Sequence, residues 1–150
     1  MGSIEHLLVP MDGSPLSKAA LEVALEEYPG AAVTVLHVID PTQPGYSYPI
    51  EVDPETEPLH GSEAWYDRAE ELAEHLFEEV REMAAGYDTA VTTETAVGDP
   101  GRAIVTHAET NATDQIVIGS HGRDGADQRF LGSVTETVVF RAPVRVLLVR

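Results

Sequence analysis

Cysteine is absent from this chain, which excludes disulfides, thiolate nucleophiles and cysteine-ligated zinc or iron–sulfur centres. Lysine occurs once, at Lys18; the other eight of the nine basic residues are arginine. No apolar run approaches the roughly 20 residues of a membrane-spanning helix. The opening residues lack the basic region and apolar core of a secretory signal. His6 stands where myristoylation at Gly2 would need Ser or Thr. These absences make a cytoplasmic protein without a membrane partner the expectation.

What is present is acidic. Twenty-six Asp and Glu against nine basic residues give a formal charge of −17 over 150 residues. Such a surface repels phosphate backbones, so a nucleic-acid partner is not expected. The excess has two readings. One is an acidic patch for a basic partner. The other is a halophilic surface adapted to high salt, where like charges are screened within about 3 Å at 1 M. The near-absence of lysine and the spread of carboxylates favour the second. The charge is also uneven: residues 51–82 hold twelve acids and two bases, whereas residues 119–150 hold five arginines and three acids. An anion would meet least repulsion in the C-terminal third.

With 43% apolar residues the chain has enough core for one domain over residues 1–150. Hydrophobic periodicity predicts strands over 4–9, 32–39, 89–97, 115–119 and 144–149. It predicts helices starting at Ser14-Pro15, Ser62, Asp99-Pro100 and Gly132-Ser133. In the second helix Trp65, Ala69, Leu72, Leu76, Val80 and Met83 share one face, so Trp65 reads as core. Residues 40–61 hold five of the ten prolines and read as a long loop: a solvated connection, with a lid or partner contact as the alternatives. Asn111 heads a glycosylation-type triplet but reads as a helix terminator. The alternating order predicts a single α/β domain, a doubly wound parallel sheet with helices on both faces.

The segment between the fourth strand and last helix carries the chemistry. It reads Gly119-Ser120-His121-Gly122, then, after nine intervening residues, Gly132-Ser133. Glycines there allow backbone amides to approach an anion closely. The free amides of Ser133, Val134 and Thr135 would open the helix, and helix N-termini bind phosphate for that reason. Arg123 and Arg129 could add charge-assisted bonds. The spacing is neither a Walker A loop nor the dinucleotide Gly-x-Gly-x-x-Gly. A flexible turn before a helix capped by the box Ser133-Val134-Thr135-Glu136 is the competing reading.

These residues resemble the universal stress protein superfamily. Val9-Pro10-Met11-Asp12-Gly13-Ser14 is similar to its opening motif, the Gly119, Gly122 and Gly132-Ser133 spacing to its ATP-binding motif, and Gly132 through Val149 to its closing helix and strand. The resemblance implies five strands in the order 3-2-1-4-5, with the direction of winding reversing between strands one and four. Ligands in open α/β sheets bind at such switch points, beyond the C-terminal strand ends. It further implies ATP as ligand. Pro10, Met11 and Asp12 would border the adenosine, and Val38 would meet the adenine through its backbone. Ile118, Gly119 and His121 would line the ribose side; Gly122, Arg123, Gly132, Ser133, Val134 and Thr135 would hold the phosphates. Mg²⁺ or Mn²⁺ carried on the phosphates would offset Glu136 and the overall charge. No dedicated hydrolytic set is evident, so at most slow ATPase activity is expected of a regulatory, stress-response protein. A homodimer is implied, and an apolar edge strand from Val144 to Val149 gives it a physical reason. An interaction protein of the same fold that binds no nucleotide is the alternative.

Overall fold

A computed structural model describes residues 3–42, 59, 61–121 and 131–150. The chain alternates as expected: β1 (His6–Pro10), α1 (Pro15–Glu27), β2 (Ala32–Ile39), α2 (Glu63–Ala84), β3 (Val91–Val97), α3 (Pro100–Thr110), β4 (Gln115–Gly119), α4 (Ser133–Arg141) and β5 (Arg145–Val149). The strands form one sheet in the order β3-β2-β1-β4-β5, and every pairing is parallel. Most of the loop over residues 40–61 lies outside the described residues.

Local chemistry starts the helices where expected. Ser14 accepts from the Ser17 amide with Pro15 at the first helical position; Ser62 accepts from the Trp65 amide; Asp99 accepts from the Arg102 amide ahead of Pro100. Each satisfies an amide that the helix cannot, at a worth of about 1 kcal/mol. α1 ends at Glu27, before Pro29-Gly30. α3 ends with Asn111, whose side chain donates to the His107 carbonyl at 3.1 Å; it is a helix terminator.

Burial shows the two-sided winding. Leu7, Val9, Val33, Val35 and Val117 pack with the buried faces of α1 and α2. Leu8, Leu36, Val38, Ile116 and Ile118 pack with Ile104 of α3 and Val138 of α4. Adjacent strand residues thus enter opposite cores, which is why β1 and β4 read as unbroken apolar runs. Trp65 is fully buried with Ile39 and Ala69. β5 reads the same way as β1 but is an edge strand, and Val146 through Val149 are only half-buried. Its place in the sheet sets its exposure, not its composition.

Several boundaries move. β1 begins at His6 and keeps Pro10, because Pro10 still pairs with Leu36 of β2. β3 begins at Val91 and β5 at Arg145, each at its first residue in register with a neighbour. The expected box over Ser133 and Glu136 does not cap α4. Gly132 is the N-cap, without a side-chain bond, and Ser133 is the first helical residue.

Candidate functional site

The sheet opens where its winding reverses. β1 pairs with β2 at five positions but with β4 only at Leu7 and Leu8. Ladder pairing between β1 and β4 stops there, and the C-terminal strand ends beyond it form the switch point at which ligands of open α/β sheets bind. Three segments border it: the turn after β1, the end of β4, and the first turn of α4.

Dense local bonding builds the turn after β1. The Met11 amide donates to the Leu36 carbonyl at 2.9 Å, extending β1 one bond past its last pair. Asp12 accepts the Ser14 amide through Oδ1 at 2.9 Å, an Asx turn. Gly13 between them has φ +83°, a conformation that glycine adopts without cost. Ser14 then caps α1, and its carbonyl accepts the Ser17 hydroxyl at 2.8 Å. Met11, Asp12 and Ser14 are all buried.

The end of β4 is tied to both neighbours. The Ser120 amide donates to Val149 of β5 at 2.8 Å, and the Ser120 carbonyl accepts the Gly132 amide at 2.9 Å. Thr135 donates its hydroxyl to the Gly119 carbonyl at 2.8 Å. These bonds hold the start of α4 against the end of β4. Ser120 Oγ and His121 Nδ1 share a hydrogen bond at 3.2 Å. Gly119 passes so close to α1 that a Cβ there would lie 2.9 Å from Leu16 Cβ and 3.1 Å from its carbonyl carbon. The end of β4 and the start of α1 therefore meet at Gly119.

The first turn of α4 supplies the donors. Its first completed helical bond runs from the Glu136 amide to the Gly132 carbonyl at 2.8 Å. The amides of Ser133, Val134 and Thr135 precede it, and none finds a partner among the described residues. Three donors that meet no acceptor among the described residues, at the positive end of a nine-residue helix, suit an anion. For a divalent cation the fit is different. Among the described residues no cluster of three or more His, Asp or Glu side chains could hold a metal ion. A divalent ion would need phosphate oxygens and water as its main ligands.

Eleven of the thirteen expected site residues fall within the described residues, at this end of the sheet or in the first turn of α4. Pro10, Met11 and Asp12 follow β1; Val38 nears the end of β2; Ile118 and Gly119 close β4; His121 follows it; Gly132, Ser133, Val134 and Thr135 open α4. Gly122 and Arg123 lie outside the described residues, as does Arg129. The side chains of Met11, Val38 and Ile118 are buried in the two cores, which leaves their backbones as the groups to meet a ligand. The Thr135 hydroxyl is committed to Gly119, so its amide is the relevant donor.

Sequence reasoning missed three buried polar residues at the same end: His37, Asp40 and Ser120. The signal was a polar residue inside or just past an otherwise apolar strand, where burial demands a partner. Asp40 accepts both the amide and the hydroxyl of Thr42, at 2.8 and 2.7 Å. Elsewhere, the exposed face of α2 carries seven glutamates, of which Glu79 pairs with Lys18 at 2.6 Å and Glu74 pairs with Arg81.

A five-stranded, doubly wound parallel sheet whose winding reverses between β1 and β4 defines the class of α/β protein. The chain belongs to the Universal stress protein family, whose model matches residues 3–150. The universal stress protein MJ0531 of Methanocaldococcus jannaschii is 32% identical over 151 residues, spanning 97% of this chain and 82% of that protein. The solved structure of the hypothetical protein MJ0577 is 28% identical with a TM-score of 0.78, covering 97% of this chain and 95% of that one. A universal stress protein family protein from Arabidopsis thaliana, solved with AMP bound, shares the fold at a TM-score of 0.66 and 19% identity, over 97% of this chain and 90% of that one. No helix among the described residues is long and apolar enough to cross a membrane.

Proposed function

We propose that this protein binds an adenine nucleotide, ATP foremost, and acts as a regulatory stress-response protein. The observation that carries the reading is the start of α4: three successive amides without partners among the described residues, fastened to the end of β4 through Gly119 and Ser120. The phosphates sit on those amides. The adenosine lies toward Pro10, Met11, Asp12 and Val38, with Ile118, Gly119 and His121 on the ribose side. Gly122 and Arg123 complete the phosphate cradle, and Mg²⁺ or Mn²⁺ travels on the phosphates. The AMP-bound Arabidopsis protein supports the reading to the extent that its fold, elsewhere, holds an adenine nucleotide.

The assigned residues supply binding donors more than a hydrolytic apparatus, so binding itself is the output, relayed through conformation or association. The half-buried β5 edge suits an isologous pairing of two chains. The exposed acidic face of α2 suits cytoplasm of high ionic strength.

Titration calorimetry of ATP and AMP, in about 2 M KCl with and without a chelator, tests the reading. Binding is expected, and weaker when the divalent ion is removed. Small molecules released from the purified, denatured protein should include adenine nucleotide. No heat at millimolar nucleotide, together with an empty release, refutes it. Light scattering at the mass of one chain removes the dimer.

A further inference from the structure

We infer that His37 is a positioning residue for the nucleotide loop: its imidazole sets the Met11 peptide and, through it, the turn that presents Asp12. The inference rests on the nucleotide reading above. His37 lies in β2, within a strand otherwise almost wholly apolar, and is buried. Its Nδ1 stands 2.8 Å from the Met11 carbonyl oxygen. A carbonyl only accepts, so Nδ1 carries the proton and donates. The neighbouring β2 residue, Leu36, accepts the Met11 amide at 2.9 Å. Adjacent residues of β2 therefore grip both polar groups of Met11, one by main chain and one by side chain.

This grip lies one residue beyond the last β1–β2 pair, Pro10 with Leu36. The Met11 amide makes the last main-chain bond from this end of β1 to β2, so beyond it the His37 side chain is what holds the Met11 carbonyl. Met11 leads straight into Asp12, whose carboxylate holds the Ser14 amide, and then into the cap of α1. The imidazole anchors the start of that series. An apolar side chain would fill the same space in the strand but leave the Met11 carbonyl without this donor, and the turn would lose its fixed origin.

Two substitutions separate the donor from the volume. His37→Asn keeps an N–H close to the place of Nδ1. His37→Leu keeps the bulk and removes the donor. Both are made in the full chain and studied folded, in about 2 M KCl. By calorimetry His37→Leu should bind ATP about five- to tenfold more weakly than the parent, and His37→Asn within about twofold of it. Exchange of the Ser14 amide, the donor to Asp12, should quicken in His37→Leu and stay near parental in His37→Asn. If His37→Leu does not fold, His37→Gln replaces it, since its amide lies one bond further out and misses the Met11 carbonyl.

Parental ATP affinity in a folded donor-free variant overturns the inference. So does equal weakening by His37→Asn and His37→Leu, which marks a packing role. A parent chain that binds neither ATP nor AMP fails the nucleotide reading instead. Ser14 exchange then decides the tie alone: faster in His37→Leu than in His37→Asn supports it, and equal rates overturn it.

Discussion

Replacing Gly119 by alanine tests how closely the end of β4 is packed on the start of α1. The new Cβ would lie 2.9 Å from Leu16 Cβ, 3.1 Å from the Leu16 carbonyl carbon and 3.2 Å from its oxygen. Two of these are backbone atoms in the first turn of a helix and cannot rotate aside, so α1 or β4 must shift. Overpacking of this kind costs about 1–3 kcal/mol. Alanine's lower freedom in the unfolded chain offsets about 0.4–1 kcal/mol. The net loss is about 1–2 kcal/mol, and at this chain length each kcal/mol lowers Tm by about 2–4 °C. Thermal unfolding followed by circular dichroism should thus show Tm about 2–8 °C lower. Gly86→Ala is the control: its Cβ meets no heavy atom within 4 Å, and its Tm should hardly move. The shift in Gly119→Ala also moves the Ser14-to-Leu16 segment away from β4, so ATP affinity should fall with it. A Gly119→Ala protein that melts with the parent and binds ATP as tightly would refute the packing argument.

Ser133→Pro should remove one of the amides proposed to hold phosphate and leave α4 intact, because proline suits the first helical position and Gly132 already has the extended ψ of 156° that it requires. ATP affinity by calorimetry should fall about tenfold, with little change in Tm. The Asp114 carboxyl is held below its usual pKa by the Glu5 and His6 amides, each 2.9 Å away. Its stabilisation is therefore complete above the unfolded value of 3.8 and is lost as pH falls through the lower folded value. In denaturant titrations across that range, Asp114→Asn should lose less stability on acidification than the parent. Circular dichroism on moving from about 2 M to about 10 mM KCl should show loss of native structure; an unchanged spectrum refutes the high-salt reading of the −17 charge.

Local signals explain what was legible beforehand. Ser14-Pro15 and Asp99-Pro100 announce helix starts through chemistry contained in two adjacent residues, and the apolar runs of β1 and β4 announce strands covered on both faces. The turn after β1 and Gly119 at the end of β4 were visible as motifs, so the segments gathered at this end of the sheet were legible beforehand. What escaped depends on partners distant in the chain. His37 becomes informative only when the Met11 carbonyl lies beside it. The cap of α4 looked like Ser133 because of Glu136, yet the bond from Gly132 to Ser120 makes Gly132 the last extended residue. β5 and β1 are indistinguishable by composition, and only the order of strands exposes one of them.

The narrow seam at Leu7 and Leu8 has a consequence for assembly. It joins segments about a hundred residues apart, so closing it carries the largest loop entropy in the sheet. β1, α1 and β2 can gather from near neighbours as the chain is made. The candidate site needs β4 and α4 as well, so it can assemble only after the chain has been made through Arg141. A chain made only through β2 has the turn after β1 without the first turn of α4, so the two halves of the candidate site meet only once the β1–β4 seam has closed.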